Sequence, residues 1–188
     1  MGNIKTELED NITTWVKDGL EDLSRKIDTN PPSVFEFKTL RYPEPEEIDT
    51  LGKNVVYLFF AQELPVKCND AEKAKTIQKD MNAENKKQFD SNCMPQINEA
   101  HWGNPPMTHG YCLYVGSCKD NIKNRMKHHI GDLSTTYGLH LDAWWDKSKS
   151  IEIFVLQFGE NITGGILNLI EDTLWVKYKP LFGKKGPR

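Results

Sequence analysis

The chain has 188 residues, 38% hydrophobic, 27% charged and 10% aromatic, which is enough apolar content to bury one core and too much for wholesale disorder. Its 24 Lys and Arg against 27 Asp and Glu give a net charge of −3, which excludes a polycationic, histone-like binder of nucleic acid but not a local basic patch. That charge is polarised, with a net −6 over residues 1–110 and a net +3 over residues 111–188.

In chain order, residues 4–27 read as an amphipathic helix, because Leu8, Ile12, Trp15 or Val16, Leu20, Leu23 and Ile27 recur at three- and four-residue spacing. Asn30-Pro31-Pro32 ends it. Ser33 to Leu40 reads as an edge strand, followed by a Pro- and Glu-rich turn from Tyr42 and a short helical stretch. Residues 1–53 are thus expected to form an N-terminal helical extension packed on the core, and residues 54–188 the main domain. Asn54 to Phe60 is β-branched and aromatic throughout, the composition of a strand. Residues 63–110 are polar and irregular, an insertion with one helix around Asp70 to Phe89. Tyr111 to Val115 is a second strand, stopped by Gly116, and Asp120 or Asn121 caps a helix running to about Ile130. Ile151 to Gln157 alternates as a third strand, and Gly164 to Tyr178 is a last helix, closed by Pro180. The expected fold is α+β, a small three-stranded mixed or antiparallel sheet flanked by helices.

No apolar run approaches the roughly 18 residues of a membrane span. The opening MGNIKTELEDNITTW is acidic and polar, unlike a secretory signal. Cys68, Cys93, Cys112 and Cys118 fit no zinc spacing, so a cytoplasmic protein with reduced thiols and no membrane contact is expected.

Chemistry concentrates in the helix after the second strand. Ile122, Met126 and Ile130 make its buried stripe, while Arg125 and His129, also four apart, share a neighbouring face. With Lys123, Lys127 and His128 the segment holds no acid, and Lys119 just precedes it. A phosphate ligand fits such a helix, and a solvated basic face is the plainer reading. On the last helix Glu171 stands among Leu167, Leu174 and Trp175, where a carboxylate is costly unless paired or metal-bound. A position at a solvent margin, or a lysine partner, would equally account for it. Between Ser134 and Trp145, a Thr, Tyr, His140 and Trp cluster offers stacking and phosphate contacts, or else a satellite core of Leu139, Leu141 and Trp144.

Taken in order, Val55-Val56-Tyr57, Tyr114-Val115-Gly116, Arg125-Met126-Lys127-His128-His129, Glu171 and Lys179-Pro180-Leu181-Phe182-Gly183 resemble the motifs of the GIY-YIG nuclease family, over residues 54–60 and 111–183. Val55 stands where the family has glycine and Gly183 where it has asparagine, and 56 residues separate Tyr57 from Tyr114 where the family has a short turn. The resemblance implies a divalent-metal-dependent endonuclease hydrolysing phosphodiester bonds of DNA, duplex or branched. Glu171 would hold Mg²⁺ (or Mn²⁺), and Arg125 would stabilise charge at phosphorus. Tyr57 would act as base with His129 as helper, and Tyr114 would orient water or phosphate. Lys119, Lys123, Lys127, His128 and His140 are the expected nucleic-acid contacts. The alternatives are a non-catalytic nucleic-acid-binding or protein-interaction module on the same scaffold, and a protein partner or homodimer through the extension or insertion.

Overall fold

The computed structural model describes residues 35–44, 48–131, 133–160 and 162–185. The helix expected over residues 4–27 lies outside the described residues.

The fold is α+β, built on an antiparallel sheet of four strands: β1 (Phe35–Tyr42), β2 (Val55–Ala61), β3 (Tyr111–Cys118) and β4 (Ile151–Phe158), in the order β1-β4-β2-β3. The described α-helices are α1 (Ala71–Phe89), α2 (Ile122–Ile130), the single turn α3 (Leu141–Trp144) and α4 (Gly164–Tyr178). The sheet has one strand more than the three expected. The segment read as an edge strand of the N-terminal extension joins the same sheet, with β1 paired along β4 from Phe35↔Phe158 to Tyr42↔Ile151. Period-2 patterning in β1 is weak because only Leu40 and Tyr42 are buried, so sequence alone does not say which sheet it joins.

β2 sits at the centre because both its edges and both its faces are covered. All seven residues are buried, and it pairs with β3 on one side and β4 on the other. Its alternation sorts the core into two layers. Val55, Tyr57, Phe59 and Ala61 pack with Ala74 and Met81 of α1, Ile122 and Met126 of α2, and Leu141 and Trp144 of α3. Val56, Leu58 and Phe60 pack with Leu167, Ile170, Leu174 and Tyr178 of α4. Helices therefore cover both faces of the sheet.

The insertion adds Cys68, Ala74, Met81, Cys93 and Met94 to the core, and side chain–backbone bonds fix its path. Asp70 caps α1 by accepting from the Lys73 N–H at 2.8 Å. The Asn82 carbonyl accepts from the backbone N–H of Cys93 at 2.8 Å and of Met94 at 3.3 Å, which fixes the chain returning from α1. The segment Pro180–Gly183 then threads between insertion and sheet. Leu181 and Phe182 N–H groups donate to the carbonyls of Cys112 and Leu113, while Asn98 N–H donates to Leu181 and Gly183 N–H to Gln96. Phe182 is fully buried between Trp102 and Trp144, with ring centroids 5.7 and 5.8 Å away. Gly183 has φ 105°, a conformation that excludes asparagine almost as firmly as any other side chain, so glycine here serves the turn.

All four cysteines are free thiols. Burial, helped by Asp70, pushes the Cys68 thiol up to about 12. No helix among the described residues is long and apolar enough to cross a membrane. Because Phe182 joins insertion, sheet and α3, Phe182→Ala should cost about 3–5 kcal/mol, measured as a shift in urea midpoint with an unchanged slope.

Candidate active site

Tyr57 and Gly116 face one another across β2 and β3, and Tyr114 is the next residue of β3 on the same face. A side chain at Gly116 would have no room. A Cβ there would lie 2.6 Å from Cε1 of Tyr114 and 2.7 Å from Oη of Tyr57. The two phenols fill that space, stacked at 6.2 Å with their planes 17° apart. This also explains why Gly116 does not end β3, as its sequence suggests. The strand continues to Cys118 because a missing side chain costs nothing where a neighbour's ring occupies its place.

α2 lies over this pair. Asn121 caps it by accepting from the Asn124 N–H at 3.1 Å, and Ile122 and Met126 anchor it to the core. That rotation points Arg125 and His129, one turn apart, at the phenols. Arg125 donates from Nε to Tyr57 Oη at 3.1 Å, from Nη2 to Tyr114 Oη at 3.1 Å, and from Nη1 to the Tyr137 carbonyl. Burial opposes its charge. The oxygens of Tyr57 and Tyr114 outweigh that effect and push the guanidinium pKa up, so it stays protonated. No carboxylate among the described residues pairs with it.

His129 is fully buried, its ring 4.5 Å from that of Tyr114. Its Nδ1 accepts from the Leu139 N–H at 3.2 Å, which puts the proton of the neutral ring on Nε2. Nε2 lies 3.1 Å from Tyr57 Oη and donates to it. The Tyr57 oxygen therefore receives two donors, Arg125 and His129, and is set to carry negative charge when its own proton leaves.

Glu171 belongs to α4 and approaches from the other face of the sheet. It is 8% exposed among Leu167, Ile170 and Leu174, so it is a buried carboxylate rather than one at a solvent margin. Ser117, the residue after Gly116, donates to its Oε2 at 2.5 Å. The structure thus brings Tyr57, Tyr114, Arg125 and His129 into one hydrogen-bonded group and sets Glu171 across the edge strand β3 from them. No group of three or more His, Cys, Asp and Glu able to hold a metal occurs among the described residues. Glu171 with the Ser117 hydroxyl offers hard oxygen donors, the chemistry of a Mg²⁺ that keeps most of its waters.

The other expected contacts divide. Lys119, Lys123 and Lys127 are exposed, with Lys123 paired to Asp49 at 2.5 Å. His128 is half-buried, its Nδ1 without a partner, and burial, then Arg125 and His140, push its pKa down. His140 is fully buried with Nε2 3.1 Å from the Thr136 carbonyl, so it supports its loop from inside rather than lying open to a phosphate. Leu139, Leu141, Trp144 and Trp145 belong to the main core, not to a satellite.

The contributions of Ser117 and of the Leu139 N–H carry no motif in the sequence. Only the alternation of β3, which turns Ser117 to the face opposite Gly116, hints at the first. No family model, curated protein or solved structure matches the chain.

Gly116→Ala should displace the Tyr57 ring and cost about 1–3 kcal/mol through overpacking, read by thermal denaturation and by loss of the Tyr57–Tyr114 contacts in the aromatic NMR spectrum. His128 has a second consequence. A folded-state imidazole pKa below its unfolded value means that the unfolded chain binds the proton more readily. Stability should therefore fall as pH drops through about 6.5, and His128→Gln should remove part of that loss in melting curves taken between about pH 7.5 and 5.

Proposed function

We propose that the protein is a divalent-metal-dependent endonuclease that hydrolyses phosphodiester bonds of DNA, with a catalytic group of the GIY-YIG kind. One observation carries this reading: a half-buried guanidinium, which no carboxylate among the described residues neutralises, shares the oxygen of Tyr57 with the imidazole of His129. A partly buried cation held by neutral oxygens is under-compensated, and an anion relieves it.

Arg125 uses one N–H of each terminal nitrogen on Tyr114 and Tyr137. The second N–H of each remains for phosphate oxygens, in the planar fork that suits them. With its own proton lost to solvent, Tyr57 is a phenolate held by its two donors; its Oη takes the proton of the attacking water and becomes the neutral phenol. Tyr114, fixed by Arg125, orients the same water or phosphate. A Mg²⁺ bound through Glu171 would supply Lewis acidity at a phosphate oxygen. Ser117 holds the Glu171 carboxylate in place beside β3. Lys119 and Lys127, exposed at the two ends of α2, add positive potential along the approach.

The test is nicking of supercoiled and branched DNA by the full chain in Mg²⁺. Wild type should cleave and chelation should stop it. Tyr57→Phe and Arg125→Ala should each lower the rate by about 10²–10⁴-fold, and Glu171→Ala should abolish the metal response. Equal cleavage by wild type and Glu171→Ala, or cleavage by neither, would remove Glu171 from the mechanism.

A further inference from the structure

The loop from Leu133 to His140 is pinned at successive residues. The Tyr137 carbonyl accepts from Arg125 Nη1, the Gly138 N–H donates to the Cys93 carbonyl of the insertion at 3.1 Å, and the Leu139 N–H donates to His129 Nδ1. The Leu139 carbonyl accepts from Trp144 Nε1 at 2.6 Å. Main-chain groups of three consecutive residues are thus tied to two site residues and to the insertion. Yet the side chain between these ties faces solvent. Tyr137 is 52% exposed, and the other large exposed aromatic among the described residues, Phe89, closes α1 instead. An exposed aromatic ring whose own carbonyl is bonded to the guanidinium that would hold a phosphate is a preorganised stacking surface beside that phosphate.

We propose that Tyr137 stacks on a nucleobase adjacent to the phosphate gripped by Arg125, and hence that the substrate presents an unpaired base at the cut site. The inference rests on the nuclease reading above. In an intact duplex both faces of every base are covered by neighbours, so a side-chain ring reaches a base face only at a single-stranded stretch, a gap, a junction or an extruded nucleotide. The bond from Arg125 to the Tyr137 carbonyl couples phosphate and ring, so the stacked base belongs to one defined position relative to the scissile bond. The hydroxyl is not needed for stacking, and the ring is.

The experiment is binding of the full chain to a single-stranded oligonucleotide carrying 2-aminopurine at successive positions, and to the paired duplex of the same sequence. Ca²⁺ is the only divalent ion, so that binding is read without cleavage. Wild type should favour the single strand and quench 2-aminopurine at one position. Tyr137→Phe should keep both properties, whereas Tyr137→Ala should lose the quench and bind about tenfold to hundredfold more weakly, with an unchanged circular dichroism spectrum. Wild-type quenching and affinity in Tyr137→Ala would overturn the stacking role while leaving the nuclease reading standing. If wild type binds neither oligonucleotide, or favours the duplex, the stacking inference falls, while the nicking assay decides the nuclease reading separately.

Discussion

The site depends on a positive charge that no carboxylate among the described residues neutralises. Arg125 is partly withdrawn from water and given phenol oxygens and a carbonyl, but no acid among the described residues. Such an arrangement costs stability unless its donors are well satisfied, and the surrounding structure is organised to satisfy them. Gly116 vacates the space in which Tyr57 and Tyr114 can both present oxygen to the guanidinium. The buried stripe of α2 sets its rotation so that Arg125 and His129 face the sheet together. The Leu139 N–H fixes the tautomer of His129, and with it the direction of the bond to Tyr57. Take away Tyr57 or Tyr114 and the guanidinium loses a hydrogen-bond partner inside the fold.

The insertion contributes to this arrangement. Its return segment is tied to α1 by Asn82, and through the Cys93 carbonyl it holds the loop that carries Tyr137 and Leu139. The Pro180–Gly183 segment fastens the insertion to β3 from the other end. A stretch that splits the two tyrosine strands in sequence thus buttresses the residues that those strands bring together. Glu171 stands outside the group, across β3, and meets it only through neighbouring residues Gly116 and Ser117 of that edge strand.

Much of this is legible in the sequence where periodicity decides. α4 spans the expected Gly164 to Tyr178, and β2, β3, β4, α1 and α2 fall within a few residues of their expected bounds, because each has either a strict apolar repeat or a capping residue. Legibility fails where a residue acts through what it lacks or through its backbone. Gly116 reads as a strand terminator, since nothing local announces the two rings that fill its place. His129 is expected as a catalytic helper and His140 as a nucleic-acid contact, yet both are buried, and only the hydrogen bonds of their surroundings separate a loop support from a member of the site. The place of β1 in the sheet is hidden because its partner, β4, lies more than a hundred residues away, a distance at which pattern carries no information.

That separation also shapes how the chain must be made. β2 is the most apolar segment of the protein, and its two neighbours are the strands starting at Tyr111 and Ile151. During synthesis, Val55 to Ala61 leaves the ribosome with no strand to pair with until about fifty further residues have emerged, and keeps an open edge until β4 appears later still. A short, uncharged, β-prone stretch exposed for that long is a template for aggregation. The polar, self-capped α1 next in the chain can form at once from local contacts. It is a charged, soluble neighbour for β2 throughout the interval in which the sheet cannot yet close.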